Sequence, residues 1–80
     1  MNAPERAVSL VQDYLEGKGQ RPHKNNVKVV WFCKTLQNWK AIVADLSKGG
    51  VFFEVTYNGS KSETYVDAYK KIENVVVADE

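Results

Sequence analysis

The chain has 80 residues and a mass of 9.1 kDa, which suits one small domain spanning residues 1–80. Hydrophobic residues make up 44 % of the chain and charged residues 26 %, a composition that argues against disorder, collagen and repeat arrays. No apolar run is long enough for a membrane span, and the acidic residues near the N-terminus argue against an export signal. We therefore expect a cytoplasmic protein.

Basic residues are concentrated in one part of the chain. Residues 17–44 carry six lysines and arginines and no acidic residue, whereas segments 1–16 and 45–80 are each net negative. A cationic segment in a nearly neutral chain is typical of proteins that bind nucleic acids or other anions, although a solvated edge has the same pattern.

The first part of the chain predicts a helix followed by a loop. Pro4 suits a first helical turn, and apolar residues recur at the spacing of one helix face until Gly17, which predicts a helix over residues 1–16. The polar stretch 17–26 (GKGQRPHKNN) predicts an exposed, flexible loop. The basic residues of this loop are Lys18, Arg21 and Lys24.

Three strand-like runs fill residues 27–57, and the short connections between them suit hairpins. They predict a three-stranded antiparallel meander with strand order 1-2-3. If Thr35 pairs with Asn38 and Leu46 pairs with Val51, both hairpins place their apolar residues on one face. This face is the predicted core, and it consists of Val27, Val29, Trp31, Cys33, Ile42, Ala44, Leu46, Val51, Phe53, Val55 and Tyr57.

Residues 60–74 predict a second helix. Ser60 and Glu63 have the spacing of a capping box, and one helix face would carry Tyr65, Ala68, Tyr69 and Ile72. Residues 75–80 are compatible with an extension of that helix, a short strand or a tail. The predicted fold is therefore α+β, a two-layer α-β-β-β-α arrangement with both helices on the Trp31 face and with Leu10 and Tyr69 in the core.

Candidate catalytic and metal-binding groups are few. We expect His23 to lie exposed in the loop and Cys33 to be buried and inert. Glu63 and Asp67 are explained by a helix cap and a solvated helix surface. The single histidine and the single cysteine have no recognised metal-ligand spacing. We therefore expect no enzyme activity, no metal and no cofactor.

The other face of the predicted sheet is the candidate binding site, because two helices on one face leave its apolar residues uncovered. Bases can stack on Phe32 and Trp39 while lysines follow the phosphates, which predicts binding of single-stranded nucleic acid. Alternatively, this patch docks on a second copy or on another protein, or the chain itself covers it. The candidate residues are Lys28, Val30, Phe32, Lys34, Trp39, Lys40 and Val43, with the basic loop residues Lys18, Arg21 and Lys24.

Three stretches of the sequence resemble a known family: residues 29–41 (VVWFCKTLQNWKA), 54–59 (EVTYNG) and 65–71 (YVDAYKK). They are similar to a family of small uncharacterised proteins of Gram-positive bacteria and their phages and prophages, and the resemblance covers roughly residues 27–74. It implies a phage-type accessory protein that binds nucleic acid or inhibits a host protein, such as a defence enzyme, and it carries over no site residue. We therefore expect a non-catalytic binding protein, with single-stranded nucleic acid favoured over a protein target.

Overall fold

The computed structural model describes residues 2–21 and 25–79, where one helix precedes a four-stranded sheet. Every pair of neighbouring strands is antiparallel, in the order β1-β2-β3-β4. Residues 71–79 form neither a helix nor a strand, so of the alternatives for the C-terminal residues the structure shows the tail. The elements are α1 (Ala3–Gly17), β1 (Val27–Thr35), β2 (Asn38–Asp45), β3 (Val51–Asn58) and β4 (Glu63–Lys70).

Helix α1 begins at a side-chain cap, and its position confirms the predicted first helix. The Oδ1 atom of Asn2 accepts a hydrogen bond from the backbone N–H of Glu5 at 2.9 Å. Pro4 lies in the first turn, where its missing N–H costs nothing. The buried residues of the helix recur every four positions and form one apolar stripe, which consists of Ala7, Val11 and Leu15.

This stripe packs over β1 and β2 and buries the odd-numbered residues of β2. Ala41 and Val43 have no exposed surface. In the β2–β3 ladder they lie opposite Val55 and Phe53, which are also buried. The core therefore consists of Ala7, Val11, Leu15, Val27, Trp39, Ala41, Val43, Phe53 and Val55.

A β-bulge in β1 turns Trp31 away from the core. Val29 pairs with Val43 and Trp31 pairs with Ile42, so Val30 has no place in the ladder. The extra residue reverses the alternation of side chains beyond it. Trp31 is 50 % exposed as a result. The predicted core residues that the bulge moves to the other face are Trp31 and Cys33.

The hairpin between β2 and β3 differs from its predicted register by one residue. The prediction pairs Ala44 with Phe53, whereas the structure pairs Ala44 with Phe52. Strand β2 ends at Asp45, whose carboxylate accepts hydrogen bonds from the N–H and the hydroxyl of Ser47 at 3.0 and 2.5 Å. A shift of one residue moves every side chain of a strand to the other face. The predicted core residues that leave the core for this reason are Ile42, Ala44 and Leu46.

The predicted second helix over residues 60–74 is wrong, because β4 occupies most of that segment. The Oδ1 atom of Asn58 accepts hydrogen bonds from the N–H groups of Ser60 and Lys61 at 3.1 and 3.3 Å, which closes a tight turn. The Thr-Tyr-Val run that follows favours a strand. The fold therefore has one helix and four strands, and the predicted arrangement of two helices on a three-stranded sheet is wrong.

The β1–β2 turn is held against the β3–β4 turn by two side chains. The Oδ1 atom of Asn38 accepts a hydrogen bond from the N–H of Gly59 at 2.9 Å, and the Gln37 amide donates one to the Ser60 hydroxyl at 3.3 Å. A Cβ atom at Gly59 would lie 2.4 Å from the Cγ and the carbonyl oxygen of Gln37. Only glycine allows this approach of the two turns.

We predict that Gly59→Ala lowers the free energy of unfolding by about 1 to 3 kcal/mol, because the new methyl group overlaps Gln37. Urea denaturation of the purified chain measures the loss. Gly49→Ala is the matched control: a Cβ there meets nothing within 4 Å, so we expect a change within about 0.5 kcal/mol. Equal losses for the two variants would contradict the contact between the turns.

We also predict that Phe53→Ala costs about 3 to 5 kcal/mol of unfolding free energy, because this ring is fully buried. Trp31→Ala removes a larger side chain from the surface and is expected to cost less than half as much. Urea denaturation of both variants tests the assignment of faces. A greater loss at Trp31 than at Phe53 would show that the assignment is wrong.

Candidate functional site

The side of the sheet that faces away from α1 is the candidate site. Its residues alternate along each strand with those of the helix side, and all of them are exposed or half-buried. We call this surface the open face. It consists of Lys28, Trp31, Cys33, Lys40, Ile42, Ala44, Phe52, Glu54, Thr56, Tyr65, Asp67 and Tyr69.

Four aromatic side chains on the open face are between 39 and 50 % exposed: Trp31, Phe52, Tyr65 and Tyr69. Phe52 and Tyr69 lie directly opposite each other on β3 and β4, and their rings stack with centroids 5.0 Å apart. Ile42 lies opposite Trp31 and next to Ala44 along the open face of β2, and Ala44 lies opposite Phe52. A contiguous exposed apolar surface of this kind marks an interaction site.

The charged residues of the open face are divided by sign between its two halves. Lys28 and Lys40 lie on β1 and β2, whereas Glu54 and Asp67 lie directly opposite each other on β3 and β4. The Nζ atom of Lys40 is 3.4 Å from Oε1 of Glu54. Asp67 has no such neighbour among the ion pairs of the described residues. The open face therefore has a basic half and an acidic half.

At the end of the acidic half, the Tyr65 hydroxyl donates a hydrogen bond to the Glu63 carboxylate. This hydrogen bond is the main cause that raises the pKa of Tyr65 above its ordinary value, followed by partial desolvation and by the negative charge of Glu63. The phenol therefore keeps its proton, and with it this hydrogen bond, to a higher pH than an ordinary tyrosine does.

A shallow groove of about 330 Å³ lies on the open face beside the two interlocked turns. Its walls include the ring of Trp31 and the side chains of Lys40 and Thr56. The exposed thiol of Cys33 also lines it. An apolar ring beside amide and hydroxyl groups can receive one side chain of a binding partner.

The structure buries the aromatic part of the predicted binding patch. Trp39 is only 9 % exposed and Val43 is fully buried, while Phe32 packs against the core. Trp39 stacks between Phe32 and Tyr57, with centroid distances of 5.9 and 5.8 Å. Because Trp39 and Val43 are core residues, the predicted exposed patch does not exist on this fold.

The remaining predicted site residues of the sheet are separated by the register. Lys28 and Lys40 lie on the open face. Lys34 is exposed but lies opposite Trp39, on the helix side. Val30 is the exposed bulge residue. The structure therefore brings two of the predicted lysines to the candidate site and leaves the third on the other side of the sheet.

The described residues of the basic loop are not part of the open face. Lys18 lies over the ring of Tyr14 at 5.7 Å, and Tyr14 packs edge-on against Phe53, so Lys18 belongs to the helix layer. Arg21 is exposed beside the β2–β3 turn. The prediction for Lys24, like that for His23, falls outside the described residues.

Sequence reasoning placed three of the open-face aromatic residues in the core. The sequence of β4 has the two-residue period of a strand, because Tyr65, Asp67 and Tyr69 alternate with smaller residues. The same tyrosines also fit a helical spacing, so the sequence predicts a helix where the structure has β4. The aromatic residues misplaced in this way are Trp31, Tyr65 and Tyr69.

Comparison with known proteins places this chain in a family. A family model described as a family of unknown function matches residues 4–79, nearly the whole chain. The chain belongs to this family, DUF6275. No curated protein and no solved structure matches it. The match confirms the part of the sequence resemblance that concerns an uncharacterised family.

Two further observations concern the described part of this DUF6275 chain. Its helix α1 has neither the length nor the apolar character needed to cross a membrane. Within residues 2–21 and 25–79, no three His, Cys, Asp or Glu side chains are grouped closely enough to hold a metal ion.

We predict that Glu63→Gln lowers the pKa of Tyr65 towards its ordinary value, because the variant replaces the carboxylate that accepts the phenol's hydrogen bond by a weaker, neutral acceptor and also removes the negative charge. A pH titration of the tyrosine ring carbons by NMR measures the change. Glu73→Gln, in the exposed C-terminal tail, is the control and is expected to leave Tyr65 unchanged. An unchanged pKa in Glu63→Gln would contradict the hydrogen bond.

Proposed function

We propose that this chain is a non-catalytic binding module whose open face docks on a folded protein. The observation that carries the proposal is the exposed aromatic surface of Trp31, Phe52, Tyr65 and Tyr69 on a rigid sheet. Tryptophan, tyrosine and phenylalanine are enriched at the buried centres of protein interfaces. A sheet holds such side chains in fixed positions, which lowers the entropy lost on binding.

A protein target is favoured over nucleic acid by the charges of this surface. Glu54 and Asp67 lie side by side in the middle of β3 and β4 and would repel a phosphate backbone. Lys40 is already paired with Glu54. Lys18 of the basic loop lies in the helix layer, on the opposite side of the sheet. Single-stranded nucleic acid, which the sequence favoured, is therefore the less supported partner.

The biological setting belongs to the same proposal. The resemblance of residues 29–41, 54–59 and 65–71 to small proteins of Gram-positive bacteria and their phages supports an accessory protein of phage or prophage type. We place its work in the cytoplasm, where host enzymes and defence proteins are available as targets. An accessory protein that blocks a host protein needs a binding surface and no catalytic centre of its own.

The thiol of Cys33 gives a direct test, because it is the chain's single cysteine and lies exposed on the open face. We predict that a protein on this face slows the alkylation of Cys33 at least fivefold in a fresh lysate of cells that express the chain. Mass spectrometry of the chain follows the alkylation. The slowing should survive nuclease treatment, and single-stranded oligonucleotides at low salt should not slow alkylation of the purified, dilute chain.

Matched variants locate the effect on the surface. In the lysate, Cys33 of the Trp31→Ala variant should be alkylated as rapidly as in the purified, dilute chain. The variant lacks the largest exposed ring of the open face, so the partner should no longer bind. Leu46→Ala, an exposed apolar residue in the β2–β3 turn, should keep the slow rate. Protection that nuclease removes, or that oligonucleotides reproduce, would replace the protein target by nucleic acid. Rapid alkylation under all conditions would refute the open face as the binding surface.

A further inference from the structure

Residues 71–79, which we call the tail, are a second exposed apolar feature of the molecule. Single exposed apolar side chains are common on protein surfaces, whereas several in one short stretch mark a binding segment. The match to DUF6275 extends to residue 79 and so includes this tail. Its large apolar side chains are between 69 and 99 % exposed, and they are Ile72, Val75, Val76 and Val77.

The tail has the properties of a strand that lacks a neighbour. Valine favours extended backbone, and three valines follow one another at positions 75–77. The N–H of Lys71 donates a hydrogen bond to the carbonyl of Gly50, which continues the β3–β4 ladder by one residue. Residues 72–79 form no hydrogen bond with any other part of the chain that the structure describes. Their backbone groups can therefore pair with the edge of a sheet.

We propose that the tail of one copy adds to the outer edge of β1 in a second copy, and that the two copies exchange tails in this way. Strand β1 lies at one side of the sheet, so one of its edges has no neighbouring strand. The same edge in the tail's own chain is out of reach. From Lys70 to Val75 the chain spans at most about 18 Å, whereas a strand beyond β1 would lie four strand spacings, about 19 Å, from β4. The valines can therefore lie along this edge only in another molecule.

Charge selects β1 rather than β4 as the strand that receives the tail. Residues 72–79 carry two acidic residues, Glu73 and Asp79, and no basic one. The charged residues of β1 are Lys28 and Lys34, whereas β4 carries two acids and one lysine. In every register the tail therefore meets no acid on β1. Lysines keep two such edges from pairing with each other, but they attract an acidic strand.

The tail and the start of β1 lie at the same end of the sheet. One row across the sheet consists of Lys28, Ala44, Phe52 and Tyr69, so β1 begins level with the end of β4. Two copies that meet at this end, related by a half-turn about an axis perpendicular to the sheet, each bring β1 beside the tail of the other. A tail that continues in the direction of β4 then runs parallel to that β1, because β1 and β4 of one chain are antiparallel and the half-turn reverses one of them. The exchange closes with two copies.

This inference does not rest on the proposed function, because it uses the edge of the sheet and leaves the open face uncovered. Sedimentation equilibrium of the purified full chain measures the dimer. Two short strand pairs form a small interface, so we expect a dissociation constant on the order of 100 µM. A chain that stays monomeric at about 1 mM, roughly ten times that value, overturns the proposal.

A proline variant tests the backbone pairing of the tail. Val75→Pro together with Val76→Pro should weaken dimerisation at least about tenfold, because successive N–H groups of a strand point to opposite edges and one of the two that are lost must face β1. Leu36→Asn is the control: it removes an exposed apolar side chain from the β1–β2 turn, at the other end of the sheet, and should leave the dimer unchanged. Normal dimerisation of the proline variant would refute the strand addition.

A charge exchange tests the choice of β1. A tail variant (Glu73→Lys with Asp79→Lys) and an edge variant (Lys28→Glu with Lys34→Glu) should each dimerise at least about tenfold more weakly, because tail and edge then carry like charges. Mixed together, the two variants should form a heterodimer within about threefold of the original affinity, because both tails again lie against an edge of opposite charge. A heterodimer no stronger than the two variant homodimers would rule out β1.

Amide hydrogen exchange locates the contact residue by residue. In the concentrated chain, amides of residues 75–77 and the outward-facing amides of β1 should exchange more slowly than in the dilute monomer, while the outward-facing amides of β4 should not change. Protection of the tail together with β4 at every concentration would mean that the tail folds back as a hairpin on its own chain. That result would overturn the exchange of tails between two copies.

Discussion

The packing of α1 on β2 determines which side of the sheet is available for binding. Ala7 of the helix and Ala41 of the strand are both small and fully buried, so the helix can approach the sheet closely. Around them Val11 and Val43 complete the contact. Side chains in a strand alternate between two faces, so burial of the odd-numbered β2 residues exposes the even-numbered ones and the residues that lie opposite them on the neighbouring strands. The open face is the direct consequence.

Polar side chains in the turns hold the strands in this alignment. The Asp45 carboxylate ends β2 by accepting hydrogen bonds from Ser47, and Asn38 ties the first hairpin to Gly59 in the third. A shift of one residue in the pairing of the strands would break these hydrogen bonds. It would also expose the apolar residues of β2 to solvent. Turn chemistry and core packing therefore enforce the same register.

The sequence was sufficient to predict the positions of most helices and strands, but not which side chains lie on which face of the sheet. Helix α1 and strands β1 to β3 lie close to their predicted positions, because their apolar periodicity and turn residues are strong local signals. The bulge at Val30 and the turn after Asp45 each change the alternation by one residue. Both faces are rich in apolar residues, so hydrophobic alternation alone could not reveal either change.

The same ambiguity explains the errors in the second half of the chain and in the candidate site. Tyr65 and Tyr69 satisfy both a period of two and a helical spacing, and the tight turn closed by Asn58 decides for the strand. Trp39 is predicted as an exposed stacking residue and is instead a core residue. Lys28 and Lys40, two of the predicted site residues, lie together on the open face, with different neighbours from those predicted.

Repulsion within the acidic pair on the open face lowers the stability of the sheet, and the isolated chain only partly compensates for it. Like charges directly opposite each other weaken a sheet, and Glu54 and Asp67 occupy such positions at the centre of β3 and β4. Lys40 offsets this cost for Glu54 alone. Local conflicts of this kind are expected at functional sites, where a partner supplies the missing interaction. A partner protein that brings basic side chains over the pair would supply that interaction, and the conflict and the exposed aromatic rings then have one common explanation.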